Sequence, residues 1–236
     1  MPNSLGAPIP FREPHAARAG GYVLALAGVL VAVGLSLHPL PRGGFDEQPS
    51  QLSGTPLWGP IHAAIAMGFV LCVLGGLLYL MAGGPPTRNW VAALAWGALT
   101  VGMIYFTGVA LVNGWVMHPL ALAASQDPIL FDAMNHLVVG FGWLGNPLFL
   151  AGLTGVAVLE AREPVTDMPR WLAYAGVALA VLAWGRGVGS ATGLYFLNPL
   201  VFANVPAFLW LGYYGLLSAR LAREQTEVPA VTGRGR

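Results

Sequence analysis

The chain has 236 residues, 56% hydrophobic and 9% charged, with a formal net charge of +1, whereas ordinary soluble domains carry about 25% charged residues. That balance excludes a water-soluble globular fold and offers nucleic acid no basic surface. Lysine is absent, which removes Schiff-base and lysine-nucleophile chemistry, and the lone cysteine, Cys72, excludes disulfide frameworks and thiolate-ligated clusters within one chain.

Crossing a hydrocarbon core about 30 Å thick takes about 20 apolar residues. Six stretches qualify, near residues 20–37, 58–82, 90–117, 130–159, 171–197 and 202–222. They predict an all-α, polytopic membrane protein with lipid as its main solvent. Residues 1–19, rich in proline and lacking a cleavable signal, read as a disordered cytoplasmic tail before a retained anchor helix. Residues 224–236 read as a second tail.

His-Pro-Leu ends the first span at 38–40 and recurs at 118–120, and Asn-Pro-Leu follows at 198–200, so the three copies are 80 residues apart. Arg88-Asn89-Trp90 and Arg170-Trp171 occupy matching starts of the third and fifth spans. The pattern predicts three tandem helical hairpins, about 20–84, 85–163 and 164–223. Proline's habit of following transmembrane helices is the competing explanation.

Between the first two spans, residues 41–55 form the longest and most polar loop, carrying Arg42, Asp46 and Glu47. The second span follows Trp58-Gly-Pro-Ile, which sets His62 one turn inside it. After Gly-Gly-Pro-Pro at 83–86 the third span runs to Asn113 and His118. Asp127-Pro128 is a start signal for the fourth span, which carries Asp132, Asn135 and His136 in its first turns and an expected kink at Asn146-Pro147. The fifth contains Arg186, within Trp-Gly-Arg-Gly-Val-Gly-Ser, and reaches the sixth through a short turn at Asn198-Pro199. Trp58, Trp90, Trp115 and Trp171 fall at expected interfaces, whereas Trp96, Trp143, Trp184 and Trp210 lie deeper, against helices or a bound ring. Gly68, Gly75, Gly76, Gly140, Gly142 and Gly145 are expected to let helices approach closely.

Arg12, Arg18, Arg88, Arg162, Arg170, Arg220, Arg223, Arg234 and Arg236 all fall on one side of the six-span arrangement, and Arg42 alone faces them from the opposite loops. The positive-inside rule then makes both termini cytoplasmic, in a bacterial-type plasma (inner) membrane. His38, His62, His118 and His136 share the outer leaflet.

Imidazoles below the headgroups need partners, and these four form the expected metal-ligating set. His62 and His136, at comparable depth, suit the axial positions of a haem b, with Ala66 and Gly140 one turn below leaving room for a flat ring. Copper or zinc is the alternative. His38 and His118 would supplement the ligands or carry protons, although a histidine at a helix C-terminus also simply complements the dipole. Arg186 has no expected carboxylate at its depth, so an anionic group is its predicted counterpart: a haem propionate, a lipid phosphate or a quinone oxygen. Asn113 joins His62, His136 and Arg186 as a cofactor-binding residue; an Arg186 neighbouring Asn113 or Asn135, or reaching the surface at a glycine break, would need no ligand. The expected task is electron transfer within a membrane complex, with a quinone or other membrane subunits as partners. A non-catalytic accessory subunit of a respiratory or photosynthetic complex is the second reading. The third is an enzyme or transporter for a lipid-like or anionic substrate.

Overall fold

A computed structural model describes residues 9–39, 48–123, 128–192 and 194–227. Among them are eight α-helices and no strand: α1 (Pro14–Leu37), α2 (Gln48–Ser53), α3 (Trp58–Ala82), α4 (Trp90–Leu111), α5 (His118–Ala123), α6 (Pro128–Arg162), α7 (Arg170–Thr192) and α8 (Asn204–Glu227). Short 3-10 segments cover Pro85–Thr87 and Tyr195–Ala203, and a π-helical stretch, Val112–Met117, joins α4 to α5. By length and composition α1, α3, α4 with its continuation to Ala123, α6 and α8 with its lead-in from Pro199 can each cross a bilayer. In α7 the apolar part is shorter, Arg170–Gly185.

Lipid tails are as apolar as leucine, so burial of oily side chains does not hold such a bundle together; close packing of small residues does. The N-terminal helix α1 lies between α3 and the C-terminal α8, and α4 lies between α3 and α6. Gly21 and Gly215 face each other so closely that a Cβ on Gly21 would strike the Gly215 carbonyl. Gly68 and Gly75 similarly admit Val31 and Leu24 of α1, whereas Gly140 and Gly142 have open space beside them. Of the three expected hairpins, α1–α3 and α4–α6 pack along their lengths; α8 packs chiefly on α1 and meets α7 mainly at Trp210, whose indole N–H donates to the Leu172 carbonyl at 2.9 Å.

The expected tail begins its helix early. Pro14 occupies the first turn of α1, where its missing N–H costs nothing. Ahead of it the Arg12 and Glu13 amides donate to the Ala82 carbonyl, both at 3.0 Å, and so satisfy an orphaned acceptor at the end of α3. Phe11 is buried edge-on to Tyr79 at 5.5 Å. Gly83 and Gly84 make the turn beneath this strap with φ of 63° and 69°, and a Cβ on Gly84 would collide with the Pro10 carbonyl. Residues 9–19 are therefore tied to the bundle. At the other end α8 continues to Glu227, so part of the second expected tail is helical as well.

Within α6 Pro147 interrupts the hydrogen-bond ladder but the helix continues past it. Between the two ends of the bundle Phe69, Phe106, Phe149 and Phe208 form an aromatic plug, in which Phe149 and Phe208 stack at 5.2 Å. Polar clusters lie beyond this plug in both directions, one at the end carrying the histidines and one at the end carrying the arginines.

Candidate functional site

At the histidine end α1 stops at Leu37, and His38 turns its ring toward the first turn of α3. His62 is 3% exposed, and Gly114 lies so near it that a Cβ there would come within 2.6 Å of the His62 Cβ. The His62 Nδ1 lies 2.9 Å from the Trp58 carbonyl oxygen and the His38 Nδ1 lies 2.8 Å from the Pro39 carbonyl oxygen. A carbonyl only accepts, so each Nδ1 carries the hydrogen and donates it. Each neutral ring then presents a bare lone pair at Nε2, and the two Nε2 atoms are 3.3 Å apart. Such a separation exceeds the roughly 2.7–3.2 Å of ordinary N–H hydrogen bonds. It matches the ~3.3 Å expected when two metal–nitrogen bonds of about 2.0–2.1 Å meet at a tetrahedral angle.

Trp58 braces the pair, with its ring centroid 4.4 Å from that of His62 and 5.0 Å from that of His38. Its indole N–H donates to the Asn113 carbonyl at 2.7 Å, a group in the π-helical stretch. Leu52 of α2, Met117, Ala121 of α5 and Phe131 of α6 pack with Trp58 into a small apolar cluster. Burial lowers the His38 pKa from 6.5, opposed by the bond to Pro39, so the neutral ring is favoured at neutral pH.

Of the four expected ligands the structure brings two together. His136 stands apart with its side chain 76% exposed, and its Nδ1 is directed to Asp132 on its own helix, 2.9 Å from the carbonyl oxygen and 3.5 Å from Oδ1. His118 is half-buried at the start of α5. Among the described residues no group of three or more His, Cys, Asp or Glu side chains could hold one ion. A bis-histidine haem on His62 and His136 fits poorly, because the His62 Nε2 faces His38 at a spacing that admits no ring between them. The backbone carbonyl of Asn113 accepts from Trp58. Arg186 belongs to α7, but its side chain lies outside the described residues, as do Arg42, Asp46, Glu47 and Asp127. Asn135 is buried at 6% exposure.

Sequence reasoning overlooked Trp58 as a partner of the imidazoles, although its i, i+4 spacing to His62 was the available signal. It also missed the arginine-end cluster. Glu160, one residue beyond the expected end of the fourth span at 159, sits in the last turn of α6 at 3% exposure and accepts from the Val165 amide (3.1 Å), the Thr166 amide (2.9 Å) and the Thr166 hydroxyl (2.6 Å). Arg88 donates to the Glu163 carbonyl at 3.0 Å and pairs with the Glu163 carboxylate at 3.3 Å. Next to it a cavity of about 10 Å³, room for roughly one water, is lined in part by Arg88, Trp96, Glu160 and Tyr214. The Tyr79 hydroxyl joins the Tyr214 and Ser218 hydroxyls at 3.3 and 3.1 Å. These contacts lock α3, α4, α6 and α8 together, whereas the imidazole pair has unused coordinating capacity.

No family model matches this chain, and neither the curated proteins nor the solved structures yield a significant match.

Proposed function

We propose that this multi-pass membrane protein binds one transition-metal ion between His38 and His62. The observation that carries the reading is the geometry of the pair: each Nδ1 lies within hydrogen-bond distance of a carbonyl, which directs the two Nε2 lone pairs at each other across 3.3 Å, an arrangement that a cation between them would stabilise. Imidazole nitrogen suits copper and zinc. Copper would support single-electron exchange with a quinone or a neighbouring membrane subunit. The arginine-rich end is assigned to the cytoplasm, which puts the ion near the outer face.

Elemental analysis and a visible spectrum of the full chain, purified in detergent without chelators, test the proposal. One copper or zinc per chain, lost in His62→Ala and His38→Ala and retained in His136→Ala, is the expected result. A protein free of metal in which added copper and zinc both fail to bind would leave a shared proton as the bridging cation and end the reading. A Soret band would replace the ion with haem b.

A role as accessory subunit is favoured by a separate observation. Much of α6 is uncovered: Ile129, Trp143 and Leu144 are exposed, and the polar pair His136–Asp132 lies on the surface of the same helix. Recovery of the chain with a second protein after mild solubilisation is expected on that reading; recovery as a monomer under every mild condition counts against it.

A further inference from the structure

We propose that the ion taken by this pair is monovalent copper, held by two imidazoles and the indole face of Trp58, in preference to divalent zinc; the inference rests on the reading that His38 and His62 bind metal. Charge decides it. The cost of moving an ion out of water scales with the square of its charge, so a divalent ion pays about four times what a monovalent ion of similar size pays. A divalent ion is normally repaid by carboxylate or thiolate ligands. Here both nitrogen ligands are neutral, and among the described residues no carboxylate or thiol completes a set of three with them. One side of the pair is shielded: His62 is 3% and Trp58 7% exposed, whereas His38 is half-buried.

Trp58 supplies the remaining stabilisation. Its ring lies against both imidazoles, at 4.4 and 5.0 Å between centroids. Tryptophan has the most electron-rich face of the aromatic residues, and a desolvated cation within about 6 Å of such a ring is attracted to it. The hydrogen bond from Trp58 Nε1 to the Asn113 carbonyl fixes the ring plane at the point where α4 turns π-helical. The π-helical stretch, a feature frequent at functional sites, thereby orients the third element of the binding set. Binding is a ligand association with no electron transferred, so its balance requires nothing beyond the ion.

The test titrates the full-length chain in detergent with Cu(I) under anaerobic, reducing conditions against a competing chelator, and separately with Zn(II). The expected result is one Cu(I) per chain, bound at least a hundredfold more tightly than Zn(II), with quenching of Trp58 fluorescence. Trp58→Leu should weaken Cu(I) binding about tenfold and remove that quenching. Trp58→Phe, which keeps an aromatic face, should fall between the two and serves if the leucine variant does not fold. Zn(II) binding as tightly as Cu(I), or unchanged Cu(I) affinity in both Trp58 variants, overturns this inference while leaving the metal-binding reading intact. Binding of neither ion ends both.

Discussion

On the proposed reading, proton and metal would compete for the same lone pairs on His38 and His62, and the competition has a definite sign. Burial lowers the His38 pKa below 6.5, so its ring is neutral and able to coordinate at pH 7. A lowered histidine pKa contributes stability that is present above the unfolded value and is lost as pH falls through the folded value. Metal affinity is therefore expected to be flat from pH 8 to 7 and to fall only below pH 6.5, by about tenfold per pH unit once His38 alone takes up a proton. A competition titration repeated across pH measures it; affinity that rises on acidification contradicts the assigned tautomers. At the same scale Glu160 uses both carboxylate oxygens as acceptors, for the Thr166 and Val165 groups. Glu160→Gln replaces one acceptor with a donor facing a donor, a loss of about 1–3 kcal/mol. Thermal melting in detergent reads that loss, and an unchanged midpoint would show that the loop amides find other partners.

Helices differed in how much of them could be anticipated. The long apolar helices are legible because hydropathy counts residues against bilayer thickness; five of the six expected spans are long and apolar enough to cross, and the apolar part of α7 is shorter. Azimuth is not legible. Sequences such as α3 and α4 are apolar all round, so the amphipathic signal that tells an inward face from an outward one is missing. His62 and His136 are expected at similar depth, yet one is buried against His38 and the other is exposed on α6. The π-helical stretch at 112–117 carries no composition signal of its own, and the anchoring of residues 9–19 depends on a carbonyl 70 positions away from Arg12, at Ala82. Two element-level variants probe these features. Gly114→Ala introduces a methyl against the His62 Cβ, an overpacking worth about 1–3 kcal/mol, and is expected to weaken metal binding at least fivefold while the protein still folds; wild-type affinity would mean that the π-helical stretch yields without moving the ring. Gly84→Ala forces a side chain into positive φ and onto the Pro10 carbonyl, costing ~1–3 kcal/mol, and should expose residues 9–13 to proteolysis.

Across the whole molecule the two polar clusters are insulated from each other. His62 and Tyr79 are both on α3, 17 residues apart, which at 1.5 Å per residue is about 25 Å. Between them lie the rings of Phe69, Phe106, Phe149 and Phe208, and the buried Thr100 hydroxyl donates to the Trp96 carbonyl of its own helix rather than across the stack. Energetic coupling over such a distance needs a contiguous element with two discrete arrangements, and densely packed aromatic rings between glycine-spaced helices offer none. Each end should then behave as an independent unit: the arginine end as a structural clasp that joins α3, α4, α6 and α8, the histidine end as the binding site. Glu160→Gln should lower thermal stability without changing metal stoichiometry, and His62→Ala should abolish metal binding without disturbing the arginine-end clasp. The double variant closes the cycle, since changes at sites more than 7–10 Å apart add to within about 0.3–0.5 kcal/mol. Unfolding free energies of the wild type, both single variants and the double variant, measured in one detergent with metal removed, should therefore sum within that margin. A coupling above about 1 kcal/mol would mean that the phenylalanine plug transmits between the two ends, and the protein would then have to be treated as a conformational relay rather than as a metal site on a fixed scaffold.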